Sequence, residues 1–408
     1  MKKAKSFYIL LLSFVFSVGA SAEKRLAFIG DSITAGDGYP VMIEIYLRAC
    51  IGGRINVRSF AFPGDTALGF NKRMDEVISW KPTIATIQFG MNDGFYGRYT
   101  DWMGNNYKRG MNNAIDALKK IHCKPYLGTP TVMDPVYGKP NSIYAGKCNA
   151  ETYNQTLEKL AGFTEEIAVS QKVPKVELFR LMSEIMEESK KIYGKNYVFT
   201  GLDGIHPGAN GQLVMAYAFL KSMNMRRKIA EITVDMEGLV TVSEGHKVIS
   251  WKNNELVLES TRYPFCHSLK TEEILPFISF QEDMNRFELK FIRLPKGKYR
   301  VSWGAFAKVF SSETLIKGIN LADEFRNNPF RPAFEMLYKQ IACRQKYEVF
   351  LVFELSPLLK RFSGKKQSAG ELETMNRLQK KLIGHRDILE KEISVYPVRH
   401  KIKIEKMN

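Results

Sequence analysis

Three stretches of the chain carry side chains suited to acyl transfer. Gly30-Asp31-Ser32-Ile33-Thr34 supplies a hydroxyl, Gly90-Met91-Asn92-Asp93 an amide donor, and Asp203-Gly204-Ile205-His206-Pro207 a carboxylate three residues ahead of an imidazole. A carboxylate so placed can hold the Nδ1–H of His206, fix its tautomer and stabilise the imidazolium formed when Nε2 takes a proton. Imidazole suits that work because its ordinary pKa, about 6.5, lies near neutral pH. A serine hydroxyl is a weak nucleophile until such a base removes its proton. The oxyanion that follows needs fixed donors, and the Asn92 amide, the Ser32 N–H and the N–H of Gly64 in Phe62-Pro63-Gly64-Asp65-Thr66 can supply them. Asp31 and Gly90 are expected to support the loops, Asp31 by hydrogen bonds to nearby amides.

Each stretch also has a plainer reading. Gly-Asp-Ser after a strand is a common turn and helix cap, and Asn92-Asp93-Gly94 and Pro63-Gly64-Asp65 are strong turn sequences. Asp203 and His206 can serve as metal ligands or as ordinary structural residues. No second His or Cys stands near them at ligand spacing, so neither a metal nor an organic cofactor is expected.

The elements that would position these residues alternate from Lys24 to about Met223. Short apolar runs at Arg25 to Gly30, Ile55 to Phe60, Thr83 to Phe89, Pro125 to Thr129 and Lys175 to Leu178 read as strands buried on both faces. Between them, Val41 to Ala49, Leu68 to Trp80, Tyr107 to Ile121, Glu151 to Gln171 and Ala209 to Lys221 read as helices. The pattern predicts a three-layer α/β/α unit around a five-stranded parallel sheet. Ser32, Gly64 and Asn92 then follow the first three strands, and His206 precedes the last helix. All four would meet at the carboxyl edge of the sheet, where open α/β folds bind ligands.

Taken together and in this order, GDSIT, PGDT, GMND and DGIHP resemble the SGNH hydrolases, the GDSL-like esterase and lipase superfamily. The resemblance spans residues 24 to 225, about half of the chain. It implies a flavodoxin-like sheet, Ser32 as nucleophile, His206 as base with Asp203 behind it, and an oxyanion hole from Ser32, Gly64 and Asn92. It implies hydrolysis of small-molecule or glycan esters, with carbohydrate O-acetyl esters weighed against lipid esters and thioesters. A non-catalytic glycan-binding protein is the alternative from another class. Two departures stand out: Ile33 replaces the leucine of the family's short name, and Ser59-Phe60-Ala61-Phe62, just before Gly64, holds no asparagine.

Beyond about Arg226 the character changes. A β-rich accessory region is predicted over 227–310, with Ile232 to Val242 alternating and two hairpins, one through Asn253-Asn254 and one joining Phe287–Leu294 to Tyr299–Trp303 through Pro295-Lys296-Gly297. A helical extension is predicted over 311–408, with Met375, Leu378, Leu382 and Leu389 on one apolar stripe. The run from Leu315 to Ala322, ahead of Asn328-Pro329-Phe330, is similar to regions appended to some bacterial esterases of the superfamily.

The rest of the composition bounds the setting. A chain of 408 residues exceeds the roughly 250 at which one core stops growing, so more than one folding unit is expected. Lys2, Lys3 and Lys5, an apolar run from Phe7 to Val18 and Ala20-Ser21-Ala22 have the order of a secretory signal over residues 1–22, with the hydrolase unit at 23–226. That predicts an exported protein, periplasmic or extracellular, without a membrane anchor after cleavage. The five cysteines are widely spaced, and Cys123 with Cys148 is a conceivable bridge. The formal net charge of +17 is spread along the chain and not gathered among aromatics, so a solvated basic surface is expected and nucleic acid is not.

Overall fold

The strands of the first half carry apolar side chains on both faces, a pattern satisfied only when both faces are covered. The computed structural model describes residues 24–36, 38–138, 148–355, 358 and 369–408; the predicted signal over 1–22 lies outside them. β1 (Lys24–Gly30), β2 (Ile55–Ser59), β3 (Ile84–Gln88), β4 (Lys124–Gly128) and β5 (Lys175–Val176) form an all-parallel sheet in the order β2-β1-β3-β4-β5. This is the flavodoxin-like order. Gly30 pairs with Gln88 and Gln88 with Gly128, so the strands end level with one another.

Helices α1 (Ser32–Ala35), α2 (Tyr39–Ile45), α3 (Ala67–Phe70), α4 (Met74–Trp80), α5 (Asp101–Lys120), α6 (Ala150–Ser170), α7 (Phe179–Tyr193) and α8 (Ala209–Ser222) flank the sheet. Alternate β1 residues serve the two faces: Leu26 and Phe28 pack with α2 and α8, Ala27 and Ile29 with α5 and α6. The predicted helices are present with shifted ends, except that the one expected over Leu68 to Trp80 is broken at Asn71–Arg73 into α3 and α4. α5 starts six residues early because Thr100 caps it, its hydroxyl accepting from the Met103 amide. α7 was not expected, although its buried Met182, Ile185, Met186 and Ser189 recur at helical spacing.

Past residue 226 the chain forms β6 (Lys228–Asp235), β7 (Val240–Val242), β8 (His246–Lys252), β9 (Glu255–Ser260), α9 (Phe280–Asp283), β10 (Arg286–Ile292), β11 (Lys298–Trp303) and β12 (Phe306–Ser311). It continues through α10 (Ser312–Lys317), β13 (Ile319–Asn320), α11 (Leu321–Glu324), α12 (Arg331–Phe350), α13 (Ala369–Glu392) and β14 (Val398–Lys406). The strands make two sheets, β13-β10-β6-β7 and β12-β11-β14-β9-β8. Among the described residues no helix is long and apolar enough to cross a membrane.

The hairpin of β8 and β9 forms around Asn253 and Asn254, both at positive φ, as a tight primed turn requires. The second expected hairpin does not form. β10 runs parallel to β6 in one sheet, whereas β11 pairs with β12 and β14 in the other. Pro295-Lys296-Gly297 carries the chain between sheets, and Phe287 of β10 meets Trp303 of β11 ring to ring at 5.3 Å. Apolar faces of both strands are buried better by stacking two sheets than by pairing edge to edge.

The all-helical reading of 311–408 is also corrected. The chain ends in β14, which inserts between β9 and β11 and buries His400, Ile402 and Ile404 in alternation. The regions 227–310 and 311–408 therefore share both distal sheets, β13 joining β10 in one and β14 joining β9 and β11 in the other. The Met375 to Leu389 stripe is not a buried face: Leu378 is 47% exposed, while Arg386 on the same helix is buried. The five thiols are unbridged, so Cys123 and Cys148 do not pair.

Arg386 belongs to a buried ion network that clamps the distal helices onto the edge of the parallel sheet. Arg344 of α12, with no side-chain exposure, pairs with Glu44 of α2 and with Glu348 at 2.6 Å, and donates to the Val57 carbonyl at 2.5 Å. Glu348 accepts from the Ser59 amide at 2.8 Å and from Arg386 Nε at 2.7 Å; Arg386 also reaches the Val57 carbonyl at 2.6 Å. Side chains thus satisfy the outer backbone groups of β2, which would otherwise be an open edge.

Removing one cation from such a network leaves carboxylates buried without partners, a cost of about 3–5 kcal/mol. Arg344→Ala is expected to lower stability by that order in urea unfolding, and an unchanged midpoint would deny the clamp its role.

Candidate active site

The serine loop begins where β1 stops. A side chain at Gly30 would stand 2.1 Å from Thr34 Oγ1 and 2.7 Å from the Gln88 carbonyl, so only glycine lets the chain turn here. Asp31 caps α1, its Oδ1 accepting from the Ile33 amide at 2.9 Å. Ser32 is thereby the first residue of a short helix at the rim, half-buried. Thr34 Oγ1 meets the Tyr39 hydroxyl at 2.9 Å and ties α1 to α2.

The Asp203–His206 loop rests on a second loop. Asp134 N–H donates to the Gly204 carbonyl at 2.8 Å, and Gly204 has φ +74° with the Gly138 amide 2.2 Å from where a Cβ would stand. His206 Nε2 lies 2.8 Å from Ser32 Oγ, and His206 Nδ1 lies 2.6 Å from Asp203 Oδ2. Asp203 Oδ1 accepts from the Ile205 and His206 amides at 2.9 and 3.1 Å. Partial burial works to raise the Asp203 pKa, but the His206 hydrogen bond and the two amides outweigh it and hold the carboxyl below its ordinary range. Nδ1 facing a carboxylate carries the proton, which leaves Nε2 to accept from the serine hydroxyl.

Asn92 follows β3. Gly90 turns at φ +122°, with Pro130 Cγ only 2.3 Å from a would-be Cβ. The Asn92 amide donates to the Asp65 carbonyl at 3.0 Å and more weakly to Asp31 Oδ2 at 3.3 Å, while its oxygen accepts from the Tyr96 hydroxyl at 3.1 Å. Those contacts fix which end of the side chain is the donor. Gly64 itself is exposed at φ +78°, with nothing within 4 Å of a would-be Cβ. Its loop reaches the site through Asp65, which is held by Arg73 at 2.8 Å.

The structure therefore brings Ser32, Asp203 and His206 into one hydrogen-bonded row, sets Asn92 beside Asp31, and places the Gly64 loop at the same rim. Sequence reasoning missed the residues that knit these loops. Buried Asp93 accepts from the Ala67 amide at 2.9 Å and the Gly90 amide at 3.0 Å, joining the loops after β2 and β3. It stood within the GMND stretch, where its turn reading concealed a second role. Tyr96, which orients Asn92, carried no sequence signal.

Asp31 and Asp93 are both raised to about 7, chiefly by burial; neighbouring carboxylates add to this, and the amides they accept from oppose it. An acid whose folded pKa is raised costs stability as pH climbs from its unfolded pKa to its folded one. Asp31→Asn, which keeps an acceptor for the Ile33 amide, should gain in melting temperature relative to wild type between pH 4 and 7 and hold a constant difference above. A difference independent of pH would refute the raised value.

Residues 28–214 match the GDSL-like lipase/acylhydrolase family. No curated protein matches the chain. Among solved structures, a gut microbial diltiazem-metabolizing enzyme is similar over 94% of this chain and 98% of its own, at 21% identity and a TM-score of 0.71. An acetylxylan esterase from Geobacillus stearothermophilus is similar over 49% of this chain and 94% of its own, at 20% identity and a TM-score of 0.39. The first likeness extends the shared fold through the distal half. Ser32, Gly64, Asn92 and His206 all lie inside the span, residues 28–214, that is similar to the GDSL-like lipase/acylhydrolase family, and that similarity makes this half of the chain an ester-bond hydrolase.

Proposed function

We propose that the chain hydrolyses carboxylic esters through an acyl-enzyme on Ser32. The observation that carries this reading is the row Asp203–His206–Ser32, with both hydrogen bonds at 2.8 Å or less. His206 takes the serine proton as Oγ attacks the ester carbonyl; it then gives that proton to the alcohol oxygen, which leaves. Water, activated by the same imidazole, attacks the acyl-enzyme and releases the acid while Ser32 recovers its hydrogen. The negative oxygen of each tetrahedral intermediate is stabilised by the Ser32 and Gly64 N–H groups and the Asn92 amide. Because Asn92 spends only a 3.3 Å contact on Asp31, an incoming oxyanion replaces a weak bond and leaves the one to Asp65 in place.

The substrate class we infer is the O-acyl ester of a carbohydrate, acetyl above all, met outside the inner membrane. The basic, apolar and small-residue order of residues 1–22 supports export, and the basic charge favours approach to acidic glycans.

Ser32→Ala is expected to lower kcat for 4-nitrophenyl acetate and for acetylated xylan by 10³-fold or more, and Asp203→Asn by about 10⁴-fold with the fold intact. Equal turnover by the Ser32→Ala protein would end the reading. A fluorophosphonate should label Ser32 in the wild type; a glycan-binding protein would leave it unlabelled.

A further inference from the structure

A cavity of about 620 Å³ lies between the hydrolase half and the distal half, a volume typical of small-molecule sites. Met42 of α2 and Ala209 and Leu213 of α8 form one side; Phe265, Phe334 and Tyr338 from the distal half form the other. Met42, Leu213, Phe265 and Phe334 are buried, so the floor is apolar and aromatic. Charges gather at the mouth, where Arg331 is offset by Glu335 at 3.6 Å.

Its position is informative. Ala209 opens α8 three residues beyond His206, so the Cα atoms of the exposed mouth residue and of His206 are at most about 11 Å apart. Helices that follow strands in such a sheet start at the catalytic rim, and the first turn of α8 is there. The carbonyl oxygen of a bound ester is claimed from the other side, by Asn92 after β3 and Gly64 after β2. The alcohol oxygen must sit within reach of His206, which hands it a proton. The alcohol portion therefore extends on the α8 side of the site.

We propose that this interdomain cavity holds the alcohol portion of the ester, and that the portion it takes is an uncharged ring-bearing alcohol presenting an apolar ring face to Phe265, Phe334 and Tyr338. The inference rests on the Ser32 reading for its orientation. It gives the distal half a role in the reaction, since neither half lines the cavity alone. A sugar ring and an aromatic ring both offer such a face, and the test separates them.

Binding of 2-naphthylmethanol and of methyl β-xyloside to the Ser32→Ala protein is measured by calorimetry, which needs no turnover. In active protein, kcat/KM is measured for 2-naphthylmethyl acetate, a mono-acetylated methyl xyloside and ethyl acetate; the sugar alkoxide is the better leaving group, so the preference in each variant is compared with the same preference in the wild type. At least one ring alcohol should bind saturably, at least tenfold more weakly once Ala209→Trp narrows the mouth and severalfold more weakly in Tyr338→Ala. The preference for the matching ring ester over ethyl acetate should fall by the same factors. If the xyloside arm responds the ring is a sugar; if the naphthyl arm responds it is aromatic. Binding that survives in both variants, no binding of either alcohol, or an unchanged ester preference overturns the cavity assignment. Ester turnover retained in the Ser32→Ala protein would instead overturn the nucleophile, and the calorimetry would still decide the cavity.

Discussion

One hydrogen bond, from the Ser32 hydroxyl to His206 Nε2, closes a distance of 174 residues in the chain, and the arrangement of the hydrolase half serves to make it short. Neither partner could hold that geometry alone. Ser32 is aimed by a turn that only glycine permits and by the Asp31 cap; His206 is aimed by Asp203 and by a loop seated on the 134–138 segment. A proton passes between two atoms at hydrogen-bond distance only while both supports are rigid. The parallel sheet supplies that rigidity, since its strands end level and its loops leave from one edge.

The carboxylates around the site divide the work by environment. Asp203, hydrogen-bonded by two amides and the imidazole, is held below its ordinary carboxylate range and fixes the His206 ring. Asp31 and Asp93, fully buried, are pushed toward neutrality and act as acceptors that cap and knit loops.

The distal half is built into the same molecule and not hung from it. Its core is continuous with that of the α2 and α8 face, and its guanidinium groups close the outer edge of β2. Just past α12, Phe353 packs against Phe62 at 4.9 Å, two residues before Gly64. The extension thus touches the loop that carries Gly64 at one end and lines the interdomain cavity at the other.

The amino-acid sequence by itself determined the hydrolase architecture and the identity of the chemical groups. Apolar runs of strand length alternating with helical stripes admit few folds, and Ser32, Asn92 and His206 stand where strands end or helices begin. Local pattern was a poor guide wherever partners are remote. The apolar runs of β10 and β11 looked like a hairpin, but each pairs with strands remote in the chain, and the two meet only across the sheets, where the rings of Phe287 and Trp303 lie 5.3 Å apart. The alternation of His400, Ile402 and Ile404 was hidden at the end of a helical stretch, because a central strand is recognisable only with its neighbours β9 and β11 in place. Nothing in the sequence sets Arg344, Glu44 and Glu348 apart from the other charged residues; the tertiary structure buries them together. Periodicity reports the faces of single elements, whereas register, burial of charge and the meeting of distant loops are properties of the packed chain.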